Sequence, residues 1–138
     1  MGENIISGQF NFAPDEVAYI ANHFIHLDHD QTYSASAGVA YTIPWTKTKL
    51  AASMLFGSGL RGGAAAVPNG ASLPHYQQIN LSVVQKIDTG IFQGLEARLD
   101  VINLLDLKYQ IRNGTGVGVG ASQFGPRRAV FAGLTQRF

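Results

Sequence analysis

The chain has 138 residues, a formal net charge of +1 and no cysteine, so disulfides and thiolate metal sites are excluded. Charged residues make up only 14% of the chain, against roughly 25% in an ordinary soluble domain. This balance favours neither nucleic acid nor an anionic membrane surface as a partner. No apolar run approaches the roughly 20 residues that a membrane-spanning helix needs, so a helical membrane protein is excluded as well.

The first 30 residues are predicted to form a loop segment with one short helix. Pro14, Asp15 and Glu16 can start a helical turn, because proline suits the first turn of a helix and acidic residues are common there. The residues that share one apolar face of this helix are Val17, Ile20, Ala21 and Phe24.

From residue 31 onward, five segments alternate apolar with polar residues, and each is predicted to be a long β-strand. They span residues 31–43, 49–56, 76–87, 94–101 and 128–138. In the fourth segment, Leu95 and Leu99 alternate with Glu96, Arg98 and Asp100. That strand would therefore be apolar on one face and charged on the other. The first two segments are separated by a short turn and are expected to form a hairpin.

The connections between these strands alternate between short turns and long loops. The turns at 44–46 and 88–90 are short. The loops at about 59–74 and 108–126 contain the glycine-rich stretches GSGLRGG and NGTGVGVG, which neither helices nor strands tolerate easily. Alternation alone fits a half-buried soluble sheet equally well. Long strands with long loops at one end and short turns at the other are, however, typical of transmembrane barrels.

We therefore predict an all-β fold, namely a segment of an antiparallel transmembrane β-barrel that has about five long strands and is incomplete. The uncharged strand faces are expected to contact lipid, while the faces with Ser, Thr, Asn, Gln and charged residues line a hydrated interior. The residues predicted to face lipid are Tyr33, Val39, Tyr41, Leu81, Leu95, Leu99 and Phe138.

Specific motifs lie near the C-terminus: VINLLDLKY from Val101, IRNGTG from Ile111 and QFGPRR from Gln123, with a closing Arg-Phe. This end of the chain resembles the C-terminal end of a TonB-dependent outer-membrane receptor, in which an Asn-Leu-Phe-Asp-like box leads to the last loop and strand. Leu105 stands where phenylalanine is usual. The stretches FNFAPDE, YIANH and HLDHDQ also resemble a long loop found in one branch of these receptors.

The resemblance implies that residues 1–30 are an extracellular loop segment and residues 31–138 are the C-terminal strands of the barrel. It also implies import of a scarce nutrient, such as a ferric siderophore, across the bacterial outer membrane. The implied partners are outer-membrane lipid, the plug and other strands of the receptor, and periplasmic TonB acting through N-terminal regions outside this chain. Two alternatives remain: a soluble β-sandwich or barrel that acts as a binding module, and a pore assembled from several short chains.

A histidine and aspartate cluster is the first candidate site. Neutral imidazoles and carboxylates are good ligands for Zn²⁺ or iron, and two of the histidines are spaced by one helical turn. The alternative, which we favour, is that these side chains hydrogen-bond a loop end onto the first strand. The residues of the cluster are His23, His26, Asp28, His29 and Asp30.

Three arginines, Arg112, Arg127 and Arg128, flank the last long loop and form the second candidate site. Their guanidinium groups could hold an anionic ligand such as a ferric chelate. The favoured alternative is solvated loop charge, or pairing with lipopolysaccharide phosphates. The segment GVGVGA at 116–121 matches a dinucleotide-binding spacing, but Gly125 and Pro126 follow it instead of a helix. We predict no cofactor, and no arrangement of residues indicates an enzyme.

Overall fold

The computed structural model describes residues 13–115 and 121–136. These residues form mostly antiparallel β-structure with one α-helix. The elements are α1 (Pro14–Asn22), β1 (Ser34–Ile43), β2 (Thr48–Gly57), β3 (Arg61–Ala64), β4 (Val67–Ser72), β5 (Tyr76–Ile87), β6 (Leu95–Ile102), β7 (Gln110–Asn113), β8 (Ser122–Phe124) and β9 (Ala129–Gln136), with a 3-10 turn at Gly90–Phe92. Within the described ranges, no helix has the length and apolar character needed to cross a membrane.

Helix α1 begins where the sequence predicts it and ends earlier than predicted. Pro14 opens the helix, and the carboxylate of Glu16 accepts a hydrogen bond of 2.9 Å from the backbone N–H of Ala13. The helix ends at Asn22, because His23 has extended backbone angles. Phe24 therefore lies outside the helix and is fully exposed, so its predicted place on the apolar helix face is wrong.

The five predicted long strands are all present and form one sheet in the order β1-β2-β5-β6-β9. The predicted hairpin of the first two strands is confirmed, since β1 and β2 are neighbours joined by a short turn. Strand β1 begins at Ser34, so Tyr33 lies just before it rather than in it. Phe138, the last of the residues predicted to face lipid, lies outside the described residues.

The register of the strands shows which residues share each face of the sheet. Along β5, β6 and β9, Val83 is opposite Leu99, which is opposite Ala132. One residue further along the strands, Ser82 is opposite Asp100. Because facing residues in a ladder point to the same side, the first row is apolar and the second is polar. The predicted alternation of β6 is thus continued by its neighbours.

The polar face is less uniformly polar than the sequence pattern suggests. Phe131 lies opposite Asp100 in the register, and Val84 lies opposite Arg98. Both apolar side chains therefore share the face that carries the charges, and Phe131 is 58% exposed. Alternation within one strand could not show this, because the assignment of β9 to a face depends on its register with β6.

The two long loops contain strands that the sequence does not predict. Residues 59–74 hold the antiparallel pair β3 and β4, and the last long loop holds β7 and β8. The prediction that their glycine-rich stretches resist strand formation is therefore wrong for Arg61–Ala64. A Cβ atom at Gly62 would lie 2.5 Å from the side-chain nitrogen of Asn113. Glycine is accommodated here because a second segment packs directly against the strand backbone.

The chain divides into two compact units, each made of separated stretches. Within the described residues, the first unit comprises 13–34, 57–76, 109–115 and 121–125, so it gathers the N-terminal segment and both long loops. The second comprises 35–56, 77–108 and 126–136, so it contains nearly all of the five-stranded sheet. Among the described residues, the buried apolar side chains are Leu73, at 8% exposure, and Pro68, and both lie in the first unit.

Candidate functional site

The apolar face of the five-stranded sheet is the largest unusual feature of the second unit. Val39 is 69% exposed, Leu99 is 45% exposed and Leu81 is 37% exposed, although all three sit on strands. Tyr41 is also exposed, and Leu95 is half-buried. No described part of the second unit covers this face with a second layer. Soluble proteins normally place a core there, since exposed apolar patches larger than a few hundred Å² are rare.

One polar residue of the apolar face is satisfied by the neighbouring turn. Gln85 lies on the same face as Val83, and its amide nitrogen donates to the backbone carbonyl of Thr46 at 2.7 Å. The hydroxyl of Thr48 donates to the side-chain oxygen of Gln85. The amide of Gln85 therefore makes its hydrogen bonds at the short-turn end of the sheet, where Gln136, opposite Leu95 on the same face, also donates to the carbonyl of Gln93.

The polar face of the sheet carries charges that are largely balanced. Arg98 donates from Nε and Nη2 to the carboxylate of Asp100 at 2.6 and 3.0 Å. Lys47, in the β1–β2 turn, pairs with Asp88 at 3.0 Å after the end of β5. A fork of two parallel hydrogen bonds fixes the orientation of Arg98. This face can therefore be hydrated without presenting a strong field of one sign.

Asn103, directly after β6, is the asparagine of the Asn-Leu-Leu-Asp stretch that resembles the receptor box, but the sequence pattern assigns it no role. Its side chain is fully buried and its φ angle is +50°, a left-handed conformation that asparagine tolerates. Its amide nitrogen donates to the carbonyls of Leu107 at 2.9 Å and Pro126 at 2.8 Å. Its side-chain oxygen accepts from Leu107 N–H at 3.1 Å, and its own N–H donates to Asn80. Asn103 thus joins three chain segments.

Asp106 ties the same turn to the start of β9. Its carboxylate accepts two hydrogen bonds from Arg127, at 2.8 and 2.6 Å, and one from the backbone N–H of Arg128 at 2.9 Å. The Arg127 guanidinium holds the pKa of Asp106 far below its usual range. Arg127 was predicted as a ligand-binding residue, and in the structure its guanidinium is engaged by this carboxylate.

The third predicted arginine belongs to the first unit. Arg112 pairs with Asp28 at 3.0 Å, and the other carboxylate oxygen of Asp28 lies 2.8 Å from Nδ1 of His29. Arg112 and Asp28 are 26% and 16% exposed, so this ion pair is the least exposed one of the described residues. It connects the N-terminal segment to β7.

The remaining residues of the histidine and aspartate cluster separate into two places. Nδ1 of His26 lies 2.7 Å from the carboxylate oxygen Oδ2 of Asp30. This hydrogen bond lowers the pKa of Asp30. His23 instead stacks on Tyr19, with ring centres 4.1 Å apart, at the end of α1. Because the helix stops at Asn22, the two histidines do not occupy successive helical turns, and the predicted one-turn spacing is wrong.

Two of the cluster residues, His26 and Asp28, contact the loop hairpins rather than the first strand. The buried Asn69 donates to the carbonyl of His26 at 2.8 Å, and the N–H of Arg61 donates to the carbonyl of Asp28 at 3.2 Å. Among the described residues, no group of three His, Asp or Glu side chains is arranged to hold a metal ion. The contacts that the structure places here are hydrogen bonds and ion pairs that fix a loop.

Two tyrosines of the first unit form a second feature that the sequence does not reveal. Tyr76 and Tyr109 stack with ring centres 4.7 Å apart and an angle of 9° between their planes. Each ring lies over a glycine: a Cβ at Gly57 would meet Tyr76, and a Cβ at Gly125 would meet Tyr109. Burial raises the pKa of the Tyr109 hydroxyl. The stack needs glycine at both places.

Comparison with known proteins adds no assignment to this geometry. No family model matches the chain. No curated protein and no solved structure matches it either.

Proposed function

We propose that the chain is the C-terminal part of a TonB-dependent receptor of the bacterial outer membrane, which imports a scarce nutrient such as a ferric siderophore. The observation that carries the proposal is the uncovered apolar face of the five-stranded sheet. In water such a face has no stabilising partner, whereas hydrocarbon provides one over its whole area. The C-terminal motifs that resemble these receptors support the same assignment.

Strand length supports a membrane location. Strand β5 has 12 residues, which at roughly 3.3 Å per residue extend about 40 Å. A tilt near 40° reduces this to about 30 Å of depth, the thickness of a hydrocarbon core. Tyr41 and Trp45 are 59% and 81% exposed near the short-turn end. Aromatic side chains at that level would lie at the boundary between lipid and water.

The proposal gives each part of the chain a role in transport. The polar face, with Arg98 and Asp100, lines a hydrated interior through which the ligand passes. The long loops, held by the Asp28–Arg112 pair, belong to the external side where ligand first binds. The plug, the other strands and the region that contacts periplasmic TonB are supplied by the rest of the receptor. The ligand then enters as energy-driven movement displaces the plug.

Spin labels on single cysteines test which solvent each face meets. The native chain has no cysteine, so each variant carries one label. Leu81→Cys, Val83→Cys and Leu99→Cys report the apolar face, and Ser82→Cys and Thr135→Cys report the polar face. In lipid vesicles, we expect the first group to be relaxed by oxygen, which concentrates in lipid, and the second group by a water-soluble nickel chelate.

A soluble binding module gives a different pattern in the same experiment. In a soluble binding module, the chain would stay out of the vesicles and the apolar-face labels would meet the nickel chelate or neither reagent. Ser82→Cys is the matched control for Leu81→Cys, since the two positions are adjacent in β5 and differ only in face. Equal relaxation of both labels by the nickel chelate would refute the proposal.

A further inference from the structure

Two asparagines of the first unit are followed directly by glycine, Asn69 by Gly70 and Asn113 by Gly114. An asparagine can react with its own backbone when the amide nitrogen of the next residue attacks the side-chain carbonyl carbon. Glycine favours this reaction, because it has no side chain that obstructs the attack. The surroundings of the two asparagines differ in the structure, and they decide which of the two reacts.

The side-chain carbonyl of Asn113 is held and polarised by Thr115. Its oxygen accepts hydrogen bonds from the backbone N–H of Thr115 at 3.0 Å and from the Thr115 hydroxyl at 2.8 Å. The same hydroxyl accepts from the N–H of Gly63 at 2.8 Å, which strengthens it as a donor. Two donors directed at one carbonyl oxygen stabilise the negative charge that the oxygen gains when its carbon is attacked.

The orientation of the Asn113 side chain favours attack by the nitrogen of Gly114. A hydrogen bond from the N–H two residues further on folds an asparagine side chain back over the intervening peptide bond. The side chain also packs against Gly62, where a Cβ atom would lie 2.5 Å from its nitrogen. Holding the reacting groups together in this way lowers the entropic part of the barrier. Asn113 is half-buried and Thr115 is exposed, so water reaches the site.

The surroundings of Asn69 oppose the same reaction. Asn69 is fully buried, so the hydroxide and water that the reaction requires are kept away from it. Its side-chain nitrogen, which would have to leave as ammonia, donates to the backbone carbonyl of His26 at 2.8 Å. Asn69 therefore serves as a matched control within the same unit of the same chain.

We propose that Asn113 is a self-modification site, at which the chain converts its own asparagine to aspartate and isoaspartate. Hydroxide removes the proton of the Gly114 amide, and the nitrogen forms a bond to Cγ of Asn113. The bond between Cγ and Nδ2 then breaks, and the nitrogen takes a proton from water and leaves as ammonia. Water opens the resulting cyclic imide, giving aspartate when it attacks Cγ and isoaspartate when it attacks the backbone carbonyl carbon. The inference goes beyond the proposed function and does not depend on it.

Conversion to isoaspartate would change how the last long loop is held. Asn113 is opposite Ser122 in the pairing of β7 with β8, and the Ser122 hydroxyl donates to the backbone carbonyl of Asn113 at 3.0 Å. Isoaspartate lengthens the main chain by one carbon, which displaces this carbonyl, and a carboxylate replaces the amide beside Gly62. The site thus gives the β7–β8 pair a slow and irreversible change.

Incubation of the full chain in lipid vesicles at mildly alkaline pH tests the proposal. Peptide mapping by mass spectrometry measures asparagine, aspartate and isoaspartate at positions 69 and 113. In the folded chain, we expect Asn113 to be converted at least about tenfold faster than Asn69, because only Asn113 combines polarising donors with access to water. In the chain unfolded in urea, both sites should react at similar rates. Similar rates at the two sites in the folded chain would overturn the proposal.

Variants of Thr115 separate the effect of its hydroxyl from that of loop mobility. Thr115→Val removes the hydroxyl and keeps the shape of the side chain, so we expect conversion of Asn113 to slow by about tenfold and that of Asn69 to stay unchanged. Thr115→Ser keeps the hydroxyl and should retain the wild-type rate. An unchanged or faster reaction in Thr115→Val would show that loop mobility drives the conversion, which would contradict the proposal.

Discussion

Asn103 shows how much one buried polar side chain contributes to this fold. It makes three side-chain hydrogen bonds from a position with no exposed surface. Removing one partner from a buried hydrogen bond costs about 1–3 kcal/mol, because the other group is left without water. The carbonyl of Pro126, just before β9, is one of the groups that would be left unpaired.

Replacement of Asn103 by glycine separates the side-chain contribution from the backbone contribution. Asn103→Gly can still adopt the φ angle of +50°, so the stability that it loses comes from the missing side-chain hydrogen bonds. We expect the free energy of unfolding to fall by about 2–4 kcal/mol. Asn103→Ala should lose about a further 1 kcal/mol because alanine is strained at positive φ. Urea unfolding of the chain in vesicles measures both. Asn22→Ala, which removes one exposed hydrogen bond, is the control and should change stability little.

The depressed pKa of Asp106 makes the turn sensitive to acid. Its pKa in the folded chain lies below the ordinary value of 3.8, so the ionised carboxylate stabilises the fold above about pH 4. That contribution falls as the pH drops through the interval between the unfolded and folded pKa values. We expect the wild type to be more stable than Asp106→Asn at pH 6, with the difference shrinking below pH 4. Stability curves from pH 2 to 6 measure it, and a constant difference would contradict the prediction.

At the scale of elements, the β3–β4 hairpin contains a strained residue. Ala65, in the turn between these strands, has a φ angle of +48°, which costs an L-residue about 1–2 kcal/mol. Its neighbour Ala66 does not have positive φ. Ala65 is exposed, so a substitution there changes the backbone strain without removing buried contacts.

Glycine substitutions in this turn should therefore have opposite effects. Ala65→Gly removes the strain but raises the entropy of the unfolded chain, so we expect a net gain of about 0.5–1 kcal/mol. Ala66→Gly adds only the entropic cost and should lose about 0.5–1 kcal/mol. Denaturant unfolding of the two variants measures the difference. If Ala65→Gly were destabilised as much as Ala66→Gly, the left-handed turn would be the wrong description.

At the scale of the whole molecule, the effect of one charge depends on which solvent meets the apolar face. Leu99→Arg places a cation in the middle of β6, and in a bilayer we expect a loss of about 2–4 kcal/mol. Ser82→Arg, on the opposite face beside Asp100, should cost little. For both variants, the free energy of unfolding is measured in vesicles, together with the fraction of the protein that floats with the vesicles in a density gradient. On a sheet surrounded by water, the two changes would have similar small effects, which would count against the membrane assignment.

The sequence by itself determined the five long strands, the first hairpin and the helix start. Those features depend on local rules: alternation with a period of two, a turn after Ile43, and proline in the first turn of α1. The candidate residues were less predictable. The predicted one-turn spacing of His23 and His26 requires a helix that continues past Asn22. The partners of Arg112 and Arg127 come from distant stretches of the chain, which a local pattern does not identify.

Only the tertiary structure decided which segments meet. The hairpins in the glycine-rich loops depend on close approach of another segment at Gly62, and the buried position of Asn103 depends on Pro126, 23 residues away. The side of the sheet that holds Phe131 depends on register between strands. Such contacts depend on the free energy of packing between segments far apart in sequence, which no local pattern of residues encodes.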